Sequence, residues 1–280
     1  MTAAKLTCGR FELKLERPLV MGILNVTPDS FSDGSKHLHT DAAIAHGLQM
    51  VSDGADIIDI GAESTRPGAQ TVTPNEELDR LLPVIEGLRD AGVPLSVDTF
   101  KPATMCRVLD AGADMINDIY GFRQPGAIEA VARRSCGLCV MHMQGEPRTM
   151  QTAPAYRDVV AEVKEFLSER VAVLRQSGVE PSRILLDPGF GFGKTARHNY
   201  ELLRQLDKLQ FDEYPWLVAL SRKTMIGHVT GKEPAQRLGG SLAGALAGVA
   251  RGAAMVRVHD VAQTVDAIRV WQAVQNGVSE

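Results

Sequence analysis

The feature that most limits how this chain can fold is the alternation of short apolar runs with longer amphipathic stretches. Eight runs rich in Val, Ile, Leu and Met each reach a polar side chain at or near their ends. Strands that are apolar on both faces are typical of a parallel sheet covered on both sides. The polar residues are Asn25, Asp59, Asp98, Asn117, His142, Asp187, Ser221 and His259.

Eight further stretches repeat apolar residues every three or four positions, as amphipathic helices do. They cover residues 41–54, 75–91, 102–112, 126–134, 157–178, 198–209, 234–252 and 261–275. Eight strand–helix units within 280 residues predict an α/β fold, a single (β/α)8 TIM barrel. An open doubly wound sheet is the alternative, but it normally has fewer strands, and no GxGxxG turn follows the first run.

The predicted domain organisation is simple. We expect one barrel domain over residues 1–280, because no stretch resembles an interdomain linker. Residues 1–17 form an N-terminal extension, and the alternating pattern within it predicts a short hairpin that caps one end of the barrel. Two long connections rich in Gly, Pro, Ser and Thr, at 26–40 and 61–74, are predicted to be mobile loops at the active face.

Composition argues against several classes of function. With 44% hydrophobic residues and a formal net charge of -4, the chain can bury a sizeable core and has no basic footprint for nucleic acid. The N-terminus has no apolar signal segment and no apolar run suits a membrane span, so we expect a cytoplasmic protein. The spacing of Cys136 and Cys139 could indicate a redox pair, but buried free thiols are the favoured interpretation.

The carboxyl ends of the eight strands would open onto one face of the barrel, where polar residues distant in sequence meet. Carboxylates and an amide at this face suit a flat neutral ligand with several N–H donors in a row. The cationic side chains at this face, together with Asn25, suit an anion such as phosphate or carboxylate; the cations are Arg222, Lys223 and Arg257. No His/Cys cluster with metal-ligand spacing and no GxSxG turn occurs in the sequence. Any one of these polar residues, taken alone, could instead satisfy loop amides at a strand end.

Eight segments, in order along the chain, point to a known family. They are MGILNVTPDSFSDG (21–34), GAESTRPGA (61–69), SVDTFKP (96–102), INDIYG (116–121), VMHMQGEPRTMQ (140–151), LLDPGFGFGKT (185–195), LSRKTMIG (220–227) and VRVHDV (256–261). In these segments the sequence resembles the dihydropteroate synthase family almost from end to end. The resemblance implies an enzyme of folate biosynthesis that condenses 6-hydroxymethyl-7,8-dihydropterin pyrophosphate with p-aminobenzoate, releasing pyrophosphate with Mg2+ present.

The resemblance also implies roles for individual residues. The pterin would be held by Asp98, Asn117, Met141, Asp187, Phe192, Lys223 and Arg257. The pyrophosphate would contact Asn25, Arg257 and His259. A Mg2+ ion would take Asn25 as a ligand. The p-aminobenzoate would be bound or covered by Phe31, Thr65, Arg66, Pro67, Ser221 and Arg222. The catalytic set would be Asp98, Lys223, Asn25, Arg257 and His259.

The expected mechanism is dissociative, because an aniline nitrogen is already nucleophilic and no side chain is obviously placed to deprotonate it. Asp98 would stabilise the cation that develops on the pterin, while Mg2+, Arg257 and His259 stabilise the leaving anion.

Three alternatives stay open at this point. They are a pterin-binding methyltransferase domain, a Schiff-base aldolase that uses Lys223, and a pterin-binding paralogue without catalysis. The SRK and STRP segments argue against the methyltransferase, which would not need them. We also expect a homodimer, in which the GALAG run at 244–248 packs against the barrel or a second subunit.

Overall fold

The predicted alternation of strands and helices is confirmed in the computed structural model, which describes residues 5–27, 36–63, 72–209 and 214–278. The strands in these ranges are β1 (Lys5–Cys8), β2 (Phe11–Lys14), β3 (Leu19–Asn25), β4 (Ile57–Gly61), β5 (Leu95–Asp98), β6 (Met115–Asp118), β7 (Gly137–Met141), β8 (Ile184–Asp187), β9 (Leu217–Val218) and β10 (Met255–Val258). The α-helices are α1 (Lys36–Ser52), α2 (Pro74–Leu88), α3 (Pro102–Asp110), α4 (Ala127–Ala132), α5 (Val159–Gln176), α6 (Ala196–Arg204), α7 (Thr224–Thr230), α8 (Leu238–Val249) and α9 (Val261–Asn276).

Eight parallel strands form one closed sheet. Their order is β8-β7-β6-β5-β4-β3-β10-β9. The two edges meet through a parallel bridge between Leu186 and Trp216, where the Leu186 amide donates to the Pro215 carbonyl at 2.9 Å. This closure confirms the (β/α)8 barrel and excludes the open doubly wound sheet.

The register of the barrel decides which polar residues share a level. Asn25 pairs with Gly61, Gly61 with Asp98, and Asp98 with Asn117, so these positions form one row across four neighbouring strands. Asn117 pairs in turn with Cys139 on β7. Asp187 pairs with Met141, and it therefore lies two residues further along its strand than that row.

Several helix boundaries differ from the sequence prediction; the helix expected over 198–209, for example, is α6 followed by a 3-10 turn at Leu206–Leu209. Helix α1 begins at Lys36 rather than at residue 41, and the single helix expected over 234–252 is a 3-10 turn followed by α8. Arg237 shapes this turn, because its guanidinium donates to the carbonyls of Lys232 at 2.7 Å and Arg222 at 3.0 Å. The additional helix α7 ends at Gly231, whose φ of +68° caps it. The sequence predicts no helix there, since Gly227 and two threonines among its seven residues have low helix propensity.

The expected N-terminal hairpin is present and caps the amino-terminal end of the barrel. Strands β1 and β2 pair antiparallel. Leu6 and Cys8 are fully buried among barrel residues near the strand starts, including Met21 and Ile57. At the hairpin turn, the Arg10 guanidinium donates to both carboxylate oxygens of Asp114, at 3.0 and 3.1 Å.

The interior contains an apolar core and buried thiols. The main apolar core lies between the barrel and its surrounding helices. Cys136 and Cys139 are buried free thiols, as the sequence predicts, and Cys8 and Cys106 are also free. Within the described ranges, no helix combines the length and apolar character that crossing a bilayer requires.

Candidate active site

A fully buried carboxylate on β4 organises the upper part of the barrel interior. Asp59 Oδ1 accepts a hydrogen bond from Ser96 Oγ at 2.6 Å. Asp59 Oδ2 accepts from Asn117 Nδ2 at 3.1 Å and from Arg257 Nε at 2.6 Å. One carboxylate therefore orients two of the side chains that the sequence predicts to bind a pterin, and Asp59 is best described as a positioning residue.

Arg257 lies between two carboxylates. Besides Asp59, it contacts Asp98, because Arg257 Nη2 donates to Asp98 Oδ2 at 3.2 Å. Burial opposes the charge on Arg257, but Asp59 and Asp98 outweigh it and raise the pKa of the guanidinium. Burial raises the pKa of Asp98 to about 7, although Arg257 opposes the shift. Asp98 therefore changes its charge near neutral pH.

Asn117 presents a buried acceptor that the described residues leave unsatisfied. Its Nδ2 is engaged by Asp59, and its Oδ1 has no hydrogen-bond donor in the described part of the chain. A buried acceptor without a donor costs about 1–3 kcal/mol, unless a ligand or water supplies one. Asn117 Oδ1 is therefore suited to an N–H group of a bound ligand.

The buried Asp187 and the half-buried Lys223 form a second group of charges. Gly189 N donates to Asp187 Oδ1 at 2.7 Å. Burial raises the pKa of Asp187, whereas Lys223 and this amide bond oppose the rise. Burial lowers the pKa of Lys223 to about 8, and Asp187 opposes that change. Lys223 Nζ donates to the Phe190 carbonyl and lies 4.9 Å from the ring centroid of Phe192.

An apolar wall borders these charges. Phe192 and Phe100, both partly exposed, pack against a buried cluster made of Ile119, Tyr120, Met141, Met143 and Met150. A flat heterocycle could lie against such a surface while its polar edge meets carboxylates and amides. The structure thus combines the apolar and polar parts predicted for a ring-binding pocket.

Ser221 and His259 form a third group, beside Arg222. Ser221 Oγ lies 2.9 Å from His259 Nδ1 and also accepts from His259 N at 3.2 Å. Arg222 donates twice to Asp260, at 3.1 and 2.5 Å, from a backbone with φ of +58°. The turn between β9 and α7 therefore brings together Ser221, Arg222 and, through β10, His259.

Asn25, the predicted Mg2+ ligand, presents an amide oxygen at the carboxyl-terminal end of the barrel. Asn25 is exposed at the end of β3. Its Oδ1 and Asp98 Oδ2 lie 3.7 and 4.0 Å from the position that a Cβ on Gly61 would occupy, so the absent side chain leaves space beside both oxygens. The described residues contain no group of three or more His, Cys, Asp or Glu that could hold a metal. This arrangement fits Mg2+, which commonly takes one or two protein oxygens together with substrate phosphates and water.

The tips of the two long loops lie outside the described residues. Phe31 falls in 28–35, and 64–71 contains Thr65, Arg66 and Pro67. The stem of the second loop is described, and it is held at its base. Glu63 Oε1 accepts from Val72 N at 3.4 Å, and Glu63 pairs with Lys101, whose Nζ also lies 3.2 Å from Glu77 Oε2.

Comparison with known proteins identifies the family. A family model described as pterin binding enzyme matches residues 21–259. A dihydropteroate synthase from Neisseria meningitidis serogroup C is 50% identical over 270 residues, which cover 95% of each chain. The chain belongs to the dihydropteroate synthase family.

Solved dihydropteroate synthases share both the fold and much of the sequence. The Burkholderia cenocepacia dihydropteroate synthase complexed with 7,8-dihydropteroate is 54% identical, with a TM-score of 0.89 over 98% of this chain and 97% of that one. The Xanthomonas albilineans dihydropteroate synthase with 4-aminobenzoic acid is 53% identical, with a TM-score of 0.92 over 98% of this chain and 99% of that one. The family resemblance drawn from the eight segments is thus confirmed.

The family motifs did not direct attention to every residue that shapes the site. The sequence places Asp59 and His142 at strand ends without indicating a role for either, and it indicates none for Lys194. The signal for Asp59 was available, because a carboxylate inside an apolar parallel strand must be buried and paired. Lys194 gave no such signal, since it follows a glycine-rich turn, yet it is only 2% exposed.

Proposed function

We propose that this protein is a dihydropteroate synthase, which condenses 6-hydroxymethyl-7,8-dihydropterin pyrophosphate with p-aminobenzoate to form 7,8-dihydropteroate and pyrophosphate. The observation that carries the proposal is its relationship, over nearly the whole chain, to synthases that include one complexed with 7,8-dihydropteroate. The unsatisfied acceptor Asn117 Oδ1 supports it, because a pterin edge is rich in N–H donors.

The pterin would lie among the buried polar groups and against the apolar wall. Asp187 would accept from the 2-amino group and N3, and Asn117 and Asp98 would hold the opposite nitrogens. Lys223 would donate to the carbonyl side of the ring. Met141 and Phe192 would form the walls, and the guanidinium of Arg257 would stack on the ring. Two observations support this arrangement, namely the burial of Asp187 and the proximity of Lys223 to Phe192.

The pyrophosphate would lie at the end of the barrel near Asn25, Arg257 and His259. Asn25 would also hold Mg2+, and the open space beside Gly61 supports room for an ion and its phosphate ligands there. When bound, Mg2+ would supply positive charge that stabilises the leaving pyrophosphate. Arg257 contributes the same kind of charge from the protein, and Asp59 and Asp98 hold it in position.

The reaction would begin with breakage of the bond between the pterin methylene carbon and the pyrophosphate oxygen. The electron pair leaves with pyrophosphate, and the pterin ring spreads the positive charge that remains. The Asp98 carboxylate stabilises this cation by its proximity to the ring. The amino nitrogen of p-aminobenzoate then forms a bond to the methylene carbon and loses one proton to solvent.

The p-aminobenzoate would be recognised near the turn between β9 and α7. Ser221 and Arg222 would bind it there, and the predicted loop residues Phe31, Thr65, Arg66 and Pro67 would close over it. The clustering of Ser221 with Arg222 and His259 supports a polar site for its carboxylate. His259 would then lie between the two substrates, next to the pyrophosphate.

The test is incorporation of labelled p-aminobenzoate by the purified protein with dihydropterin pyrophosphate and Mg2+, followed together with pyrophosphate release. We expect equal amounts of dihydropteroate and pyrophosphate, and loss of both without Mg2+. Pterin binding without turnover would instead indicate the methyltransferase domain or the inactive paralogue. Borohydride trapping of a carbonyl substrate on Lys223 would indicate the aldolase.

We further propose a cytoplasmic homodimer. Two exposed valines one turn apart on α9, Val270 and Val274, support an apolar surface for a second copy. Sedimentation equilibrium tests this proposal, and a monomeric mass at micromolar concentration would contradict it.

A further inference from the structure

A buried lysine and a buried histidine with no role in the proposed reaction join β7 to the glycine-rich turn after β8. Lys194 is 2% exposed and His142 5% exposed. Lys194 Nζ lies 2.8 Å from His142 Nδ1 and donates to the carbonyls of Gly189 at 2.9 Å and Phe192 at 3.1 Å. Three acceptors match the three N–H bonds of an ammonium group.

The protonation of His142 is compatible with this arrangement. Burial and the nearby Lys194 lower the pKa of His142 well below its usual value, so the imidazole is neutral at physiological pH. With its proton on Nε2, the ring offers Nδ1 as an acceptor. Burial lowers the pKa of Lys194 as well, and Asp187 opposes that shift while Lys223 adds to it.

The turn that Lys194 holds carries several groups of the proposed pterin pocket. Gly189 accepts from Lys194 through its carbonyl, and through its amide it donates to Asp187 Oδ1 at 2.7 Å. The carbonyl of Phe190, the next residue, accepts from Lys223. Phe192, which also accepts from Lys194, places its ring beside the same Lys223 ammonium. The two carbonyls that accept from Lys194 therefore belong to residues that contact Asp187 or Lys223 themselves, or that precede one that does.

His142 anchors this turn to the barrel. Its amide donates to the Asp187 carbonyl at 3.0 Å. A Cβ on Gly189, where φ is +68°, would overlap the His142 carbonyl oxygen, so the two backbones pack without a gap. The imidazole itself packs edge-on against Phe166, with ring centroids 4.9 Å apart. Its Nδ1 is thus a well-placed acceptor for Lys194.

We propose that Lys194 and His142 are positioning residues for pterin recognition, which set the shape of the 188–193 turn and thereby the positions of Asp187, Lys223 and Phe192. This inference rests on the proposed function, because it takes those three residues to contact the pterin. A merely structural pair would instead support folding without affecting one substrate more than the other.

The first test is Lys194→Met, which keeps most of the side-chain length and removes the N–H donors. We expect KM for dihydropterin pyrophosphate to rise about tenfold, as loss of hydrogen bonds to two carbonyls predicts. KM for p-aminobenzoate should change by less than about twofold. Lys232→Met, at an exposed lysine, is the matched control and should change neither constant.

The second test uses two variants of His142. In His142→Asn the amide oxygen lies near the position of Nδ1 and retains an acceptor, whereas His142→Leu removes it. We expect the Asn variant to keep KM for the pterin substrate within about threefold of wild type and the Leu variant to raise it about tenfold. Equal effects of the two variants, or parallel rises in both substrate KM values, would overturn the positioning role.

Binding of 6-hydroxymethylpterin separates failure of this inference from failure of the proposed function. If the wild-type protein neither binds this pterin nor forms dihydropteroate, both proposals are overturned. If the wild type does both and Lys194→Met matches it, only the positioning role is overturned. Should Lys194→Met fail to fold, the comparison of His142→Asn with His142→Leu decides.

Discussion

At the scale of single residues, two half-buried groups of the site, Asp98 and Lys223, have pKa values that are shifted towards each other. Burial raises the pKa of Asp98 to about 7 and lowers that of Lys223 to about 8. Asp98 gains its negative charge as pH rises through its pKa, and Lys223 loses its positive charge as pH rises through its own. We expect kcat/KM for the pterin substrate to form a narrow bell with limbs near these two values.

Asp98→Asn tests the acidic limb of this bell. The amide cannot titrate, so the limb near pH 7 should disappear while the basic limb is retained. Because the amide carries no charge to stabilise the pterin cation, kcat should also fall, by about tenfold or more. The measurement is the pH profile of kcat and of kcat/KM, and a near-native kcat would contradict the cation-stabilising role.

Asp187 is expected to supply most of the specificity for the pterin edge. Asp187→Ala removes an acceptor that would take two N–H bonds, which corresponds to about 1.5–3 kcal/mol or roughly a ten- to hundredfold loss of pterin affinity. Isothermal titration with 6-hydroxymethylpterin measures this loss. Unchanged affinity would mean that the pterin binds elsewhere.

Asp59 should affect binding of both parts of the pterin substrate, its ring and its pyrophosphate. Asp59→Asn weakens the hold on Arg257 and on the Asn117 amide, whose donors lie 2.6 and 3.1 Å from Asp59 Oδ2. We expect KM for the pterin substrate to rise by about tenfold or more. Ser96→Ala, which removes only the contact to Oδ1, is the milder control. Equal effects of the two changes would show that orientation of Arg257 is unimportant.

At the scale of elements, the turn after β8 depends on glycine. Gly189→Ala should displace the turn, because φ is +68° and a Cβ would overlap the His142 carbonyl oxygen. We expect a loss of about 2 kcal/mol or more in the free energy of unfolding, together with weaker pterin binding. Gly178→Ala is the control, since φ there is +85° but no atom lies within 4 Å of the added Cβ.

The control should lose only about 1–2 kcal/mol, from backbone strain, and should keep its substrate KM values. Urea denaturation and steady-state kinetics measure the two effects. If Gly178→Ala were as damaging to pterin binding as Gly189→Ala, the close approach of the turn to β7 would not be the cause.

At the scale of the whole molecule, the two ends of the barrel have separate tasks. The hairpin β1–β2 buries Leu6 completely at the amino-terminal end, and the site lies at the carboxyl-terminal end. Leu6→Ala should therefore lower the free energy of unfolding by about 2–4 kcal/mol and leave kcat and KM unchanged at 25 °C. Glu12→Ala on the exposed side of the hairpin should change neither. A fall in kcat of folded Leu6→Ala would show that the two ends are coupled.

Much of the architecture could be predicted because its signals are local. An apolar run of five residues followed by a polar one indicates a buried strand and its carboxyl end, whatever lies elsewhere in the chain. The family segments likewise predicted roles for Asp98, Asn117, Asp187, Lys223 and Arg257. In the structure Asn117 and Arg257 both contact Asp59, Arg257 also contacts Asp98, and Lys223 interacts electrostatically with Asp187. Helix α7 could not be predicted, because Gly227 and two threonines weaken the helical signal of its seven residues.

The sequence by itself determined the barrel, the order of its strands along the chain and the set of polar residues at their ends, because each depends on neighbours within a few positions. Only the tertiary structure decided the row that joins Asn25, Gly61, Asp98 and Asn117, since inter-strand register depends on packing around the whole barrel. The same holds for the contact of Lys194 with His142, which are 52 residues apart. A buried ammonium acquires its partners only when the surrounding strands and turns have excluded water, and no local pattern records that event.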